Sequence, residues 1–202
     1  MIKRLSFLLL LAIPATALAL APSTTLTGPN GTLKWTVQKS ASGISLDGSS
    51  PRWTVKVLTG SDWKPIRTEH TNAEGGLTVI EYSDTGAVLT MPNKEVITIK
   101  EAGLWDGDSV DIRLGSLTAK GKGNQKWRSA DPDSGKVYSM ESNVIEQETC
   151  GSIPCTHVRM SLSGLLKAVG PKWHYWFASD GRMVGFEGRP GSFWSSDASK
   201  PE

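Results

Sequence analysis

Along most of this chain apolar residues recur at every second position in short runs, and polar turn residues separate the runs. That period belongs to half-buried β-strands, whose successive side chains point to opposite faces of a sheet. The clearest block predicts four strands: Asn143 to Cys150, Cys155 to Leu162, Lys172 to Ser179 and Arg182 to Glu187. In the second, Val158, Met160 and Leu162 alternate with His157, Arg159 and Ser161. In the third, Trp173, Tyr175 and Phe177 share a face opposite His174, Trp176 and Ala178, and Val184 and Phe186 of the fourth pair with that aromatic row. The first is more polar, with Val144, Glu146, Glu148 and Cys150 along one face. Asp180-Gly181 is a strong hairpin signal because both residues tolerate positive φ. A one-residue slip would turn the aromatic row outward, so the register is well specified.

Upstream, the same period marks Thr32 to Gln38, Arg52 to Leu58, Trp63 to Glu69, Leu77 to Ser83, Ala87 to Met91 and Glu95 to Lys100, with Ile44 and Leu46 as a short strand in a turn-rich segment. Trp35-Thr36-Val37 and Trp53-Thr54-Val55 read as neighbouring strands. Lys126 to Ala130 and Lys136 to Met140 flank the turn Asp131 to Gly135. The period changes once. Between Ser109 and Ala119, Val110, Leu114 and Leu117 fall at helical spacing with Asp108 as N-cap, although Val110, Ile112 and Leu114 also suit a strand. The apolar connector Gly164 to Gly170 reads as a helical turn across an open end of the sheet. Strands about ten residues apart with polar turns give a mainly β fold. The expectation is a curved antiparallel sheet, half-barrel or barrel, with one short helix; whether the sheet closes is left open.

The first residues change the domain plan. Met1-Ile2-Lys3-Arg4 is a short basic start, Leu5 to Ile13 an apolar run and Pro14 to Ala21 a small-residue stretch. This is the pattern of a bacterial secretory signal peptide. It assigns residues 1–19 to the signal, cut after Ala19 (after Ala17 or Ala21 as alternatives), and places the mature chain in the periplasm or outside the cell. Residues 20–31 read as a flexible arm, 32–188 as a single antiparallel β domain and 189–202 as a flexible tail onto which Phe193-Trp194 can dock back. Removing Lys3 and Arg4 from the 22 basic residues leaves 20 against 20 acidic ones. A balanced charge disfavours nucleic acid and anionic membrane as partners. No later segment is long and apolar enough to span a bilayer.

Candidate chemistry is sparse. Cys150 and Cys155, the only cysteines, bracket a hairpin turn and read as a structural disulfide in an oxidising compartment; a zinc site of Cys150, Cys155, His157 and His174 is the weaker alternative. Glu146 and Glu148 read as a solvated face before an acid–base pair. Asp106, Asp108 and Asp111 read as a capping cluster before a calcium site. No nucleophile elbow, metalloprotease helix, phosphate loop or dinucleotide fingerprint occurs, so no catalytic residue, metal or cofactor is nominated. Eight tryptophans stand out. Most suit a core, and the two apolar faces of the Lys172 to Ser179 strand suit a curved sheet around an apolar cavity. The candidate ligand-binding set is Trp173, Tyr175, Trp176, Phe177 and Phe186.

Asp108-Ser109 leading to Arg113, Glu148, Cys155 ahead of Val158, and Trp173 with Trp176 before Asp180-Gly181 resemble a family of bacterial periplasmic β domains of unknown function, over roughly Ile66 to Glu187. Those domains have a curved antiparallel sheet similar to lipoprotein-carrier half-barrels. The cysteine pair is extra to that pattern. The resemblance carries no catalytic residue and implies an envelope-located binding or assembly role. The leading expectation is a non-catalytic binding or envelope-maintenance protein that holds a lipid-like or amphiphilic small molecule, or an envelope protein, on the aromatic-rich sheet. The alternatives are a carbohydrate-binding module stacking sugars on exposed Trp63 or Trp176, and a hydrolase.

Overall fold

Alternating burial runs through almost every described segment of the chain and builds, among the described residues, one sheet of fifteen strands. The computed structural model describes residues 23–188 and 191–201; the expected signal peptide lies outside the described residues. The N-terminal strands are β1 (Thr24–Gly28), β2 (Gly31–Ser40), β3 (Gly43–Ser50), β4 (Trp53–Thr59), β5 (Pro65–Asn72), β6 (Leu77–Ser83), β7 (Gly86–Thr90) and β8 (Val96–Ile99). Then come β9 (Trp105–Asp106) and the helix α1 (Val110–Thr118). The chain returns through β10 (Gln125–Ala130), β11 (Val137–Cys150), β12 (Ile153–Leu162), a single 3-10 turn at Gly164–Lys167, β13 (Lys172–Ala178), β14 (Met183–Glu187) and β15 (Ser192–Trp194).

Two meanders share the sheet. One runs outward from β1 to the edge strand β8, the other from β15 back to the edge strand β9, and β1 pairs antiparallel with β15 where they join. Among the described residues only the β9–β10 pair is parallel. The sheet is therefore open, but it curls far enough for β9 to touch β5. Thr68 of β5 and Tyr82 of β6 both donate hydrogen bonds to Asp106 of β9. Val137 of β11 packs against the cluster of Ile80, Ala87, Leu89 and Leu104 under the first meander.

The main core fills the concave side. Leu26, Trp35, Leu46 and Val57 from the first meander meet Val158, Tyr175, Phe177 and Phe193 from the second, with Val110, Ile112 and Leu114 of α1 between them. The helix lies in the curl and is buried on several sides, as a helix without a solvated face must be. Its cap differs from expectation. Ser109 is the N-cap, the backbone N–H of Ser109 donates to Asp106 Oδ1 at 2.7 Å, and Asp108 turns instead to His70. Gly115 is where α1 meets the β13–β14 turn: a Cβ there would lie 2.2 Å from the Gly181 carbonyl oxygen.

Several expectations are corrected. The arm and tail contribute strands. Leu26 of β1 is fully buried, Thr24 donates to the Met183 carbonyl at 2.7 Å, and Phe193 of β15 lies in the core. Beyond β15 the chain packs back on the outer face, with Ala198 against the disulfide cluster and Asp197 paired with Arg182. The β domain thus extends past residues 32–188 in both directions. Trp35 and Trp53 are not on adjacent strands, because Ile44 and Leu46 belong to a full strand, β3, between them; their rings still meet at 5.7 Å. The strands read at Lys136 to Met140 and Asn143 to Cys150 are one strand, β11.

Two bulges shift faces, since an extra residue in one strand changes which side the next residues point to. One lies between Val144 and Glu146, so Val144 joins the core while Glu148 and Cys150 lie on the outer face. The other falls between Trp176 and Phe177 in the pairing with β14, so Met183 packs inward and Val184 joins the outer cluster, not the aromatic row.

Gly115→Ala is expected to lower stability by about 1–3 kcal/mol even though alanine is the better helix former by about 1 kcal/mol. The Gly181 backbone in its path cannot swing aside as a side chain would. Chemical denaturation of the variant beside wild type checks this; an unchanged or raised midpoint would show that α1 does not seat on this turn.

Candidate functional site

Strands alternate their side chains, so the curl collects one face of each into a shared interior, and α1 does not fill it. A cavity of about 550 Å3 remains at one end of the concave side. Its apolar wall is built by Met140 of β11, Met160 and Leu162 of β12, Trp173 and Tyr175 of β13 and Phe186 of β14. Trp53 and Leu33 close it from the first meander. Acidic and hydroxyl groups come from around the start of α1 and the neighbouring turn, with Asp108, Asp111, Ser129 and Asp131, and Ser50 of β3 also lines the cavity.

Three of the five expected ligand residues, Trp173, Tyr175 and Phe186, line this cavity. Phe177 shares their face but lies under α1, where its ring edge is 3.0 Å from the position of a Cβ on Gly115. Trp176 points to the opposite, outer face, as period two requires. It packs with Cys150, Cys155, Ala178 and Val184 and donates its indole N–H to Glu148 at 2.5 Å. The cysteines form a disulfide with Cα atoms 6.0 Å apart, so neither serves as a zinc ligand. Trp63 and Trp176 are 9% and 4% exposed, and neither offers a ring face to a sugar.

The acids beside the cavity were read as a capping cluster, and each has its own partners. Asp106 is fully buried and accepts from Thr68, from Tyr82 at 3.1 Å and from the Ser109 N–H. Burial, then the neighbouring charge of Asp108, push its carboxyl upward. Asp108 lies 3.1 Å from His70 Nδ1, and Asp133 lies 3.8 Å from His70 Nε2. Both ring nitrogens of His70 therefore face carboxylates and not a serine hydroxyl. Burial lowers the imidazole pKa, but the hydrogen bond and charge of Asp108, with Asp133 and Asp106 behind it, outweigh burial and leave it raised. Asp111 accepts the Trp35 indole N–H at 3.0 Å and the Ile112 N–H at 2.8 Å. Burial pushes its carboxyl up to about 7, against the lowering pull of those two donors.

The sequence signal for this polar side was slight. Asp111 stands three residues after Asp108, the expected N-cap, and its inward direction follows only once α1 is known to lie inside the curl. Met140, Met160 and Leu162 were legible as an apolar row, but not as a wall that leaves space.

Asp111 has a folded pKa above its unfolded value. Its contribution to stability is therefore complete below about pH 4 and is lost as pH rises through about 7. Trp35, bonded to it, reports the change. Trp fluorescence of wild type is expected to show a transition near pH 7 that Asp111→Asn abolishes; a transition that persists in the variant would assign the titration to another group.

No family model and no curated protein matches the chain. Among solved structures, it is similar to the crystal structure of a β-barrel-like protein of the domain of unknown function DUF1849 from Brucella abortus. The two share 11% sequence identity at a TM-score of 0.61, over 89% of this chain and 97% of that one. At that identity the likeness is one of fold, and the chain is a mainly β protein whose large, curved, open antiparallel sheet resembles a barrel.

Proposed function

We propose that this protein is an exported binding protein that holds an amphiphilic small molecule in the concave cavity. The observation that carries the proposal is the division of that cavity into an apolar wall and a polar side. Its volume falls within the roughly 300–1,000 Å3 of small-molecule sites. Methionines on β11 and β12 supply a polarizable, adaptable wall, which suits alkyl chains of varied shape better than one rigid outline. Trp173 and Phe186 add aromatic area. The signal-like first residues and the Cys150–Cys155 disulfide support an oxidising compartment outside the cytoplasm.

The polar side limits the ligand further. Asp108, Asp111 and Asp131 present carboxyl groups, and among the described residues no basic side chain lines the cavity. A fatty-acid carboxylate placed there would meet like charge in a site of low dielectric. The ligand head is neutral or cationic, and its hydroxyl or ammonium group donates to these acids.

Native mass spectrometry of the gently purified protein is expected to show a bound mass of lipid size. In solution, the neutral probe N-phenyl-1-naphthylamine should bind and be displaced by a long-chain alkylamine or alcohol more readily than by the fatty acid of equal length. Met160→Trp, which fills the cavity, should weaken probe binding by about tenfold or more. Binding that ignores the filled cavity would place the ligand elsewhere, and absence of any bound mass or probe uptake would remove the proposal.

A further inference from the structure

The outer face carries a second constellation, apart from the cavity. The bulge in β11 inserts Ile145, and as a result Glu146, not Ile145, stands directly opposite His157 of β12. Bulges commonly re-aim a side chain in this way. Glu148 lies two residues on, on the same face. Its Oε2 accepts the Trp176 indole N–H at 2.5 Å, which fixes the carboxylate with Oε1 turned to His157 Nδ1 at 3.6 Å. The His157 ring is stacked on Trp176 with centroids 4.5 Å apart, and His157 Nε2 is hydrogen-bonded to His174 Nδ1 at 2.8 Å.

That leaves one atom unexplained. His157 Nδ1 is buried and has no hydrogen-bond partner among the described residues. Buried polar atoms are normally satisfied, and an exception points to a missing partner. The ligand atoms of His157, Glu148 and Glu146 lie within 4.8 Å of one another. Tetrahedral bonds of about 2.1 Å place ligand atoms about 3.4 Å apart. The His157–Glu148 separation is close to that already, and Glu146, exposed on the rim, can close the rest by a rotamer change.

We propose that Glu146, Glu148 and His157 form a binding site for a divalent transition metal of the zinc class, with His157 Nδ1 and one oxygen from each carboxylate as ligands. Two features of the surroundings belong to a metal site. The His157 Nε2–His174 contact is the outer-shell hydrogen bond that orients a ligating imidazole, and the Trp176 indole does the same for Glu148. Imidazole with two carboxylates suits zinc better than calcium, which takes six to eight oxygen ligands. The exposed side of Glu146 leaves a coordination position to solvent, as in an open rather than a closed zinc site.

The test is calorimetric titration of chelator-stripped protein with Zn2+, with Co2+ as a spectroscopic substitute. Wild type is expected to take up one equivalent at micromolar concentration, with Co2+ absorption bands of an N/O site and quenching of Trp fluorescence through Trp176. Glu146→Gln, Glu148→Gln and His157→Gln should each weaken uptake by about tenfold or more, and His174→Gln by a smaller factor. His70→Gln should leave it unchanged. Glu146 is exposed, so its variant reads the site even if His157→Gln fails to fold. No stoichiometric Zn2+ uptake by wild type, uptake indifferent to Glu146→Gln, or equal affinity for Ca2+ would overturn the assignment.

Discussion

The hydrogen bond from the Trp35 indole to the Asp111 carboxyl joins the helix to the middle of the sheet, and much of the interior depends on it. Both groups are buried, and the bond at 3.0 Å satisfies an N–H and an acid that the apolar core would otherwise penalise. It fixes where α1 begins. From there Gly115 meets the β13–β14 turn, and Val110, Ile112 and Leu114 take their places between the two meanders. The space left at the start of the helix becomes the cavity, and the acids next to that start become its polar side. Burial inside the curl raises Asp111 against the pull of that contact, and so makes the polar side responsive to pH.

The two faces of β12 and β13 divide the chemistry. Inward, Met160, Leu162, Trp173 and Tyr175 make an apolar wall; outward, His157, His174 and Trp176 make a polar aromatic cluster against Glu148 and the disulfide. Strand alternation keeps the two apart through the thickness of one sheet. An aromatic-rich strand with two non-solvated faces thus borders two environments, an apolar cavity on one side and a polar aromatic cluster on the other.

Most of the strands were legible because a half-buried strand writes its own period. Strand alternation also assigned Trp173, Tyr175 and Phe177 to one face and Trp176 to the other before any geometry was known. The misses have physical reasons. β1 is short and threonine-rich, and its one large apolar residue, Leu26, is too little for a periodic signal. Bulges break the count of two without any mark in the sequence: Ile145 and Val184 look like ordinary strand residues, yet they turn Val144 inward and Val184 outward. The cavity was legible only as a wall. An empty volume depends on how far the sheet curls and where α1 lies, and both are set by contacts between residues distant in sequence, such as Thr68 with Asp106 and Trp35 with Asp111.

The pairing of β1 with β15 has a consequence for the order of assembly. Each meander is built from local hairpins and can begin to form on its own, but the seam between them joins residue 27 to residue 194. Loop closure over such a span delays the contacts that depend on it. The concave interior needs both halves, since Leu33 and Trp53 come from one and Trp173 and Phe186 from the other. During synthesis the concave cavity therefore does not exist until almost the last strand has emerged. A chain cut short ahead of Phe193 would leave the apolar walls of both halves open to neighbouring molecules.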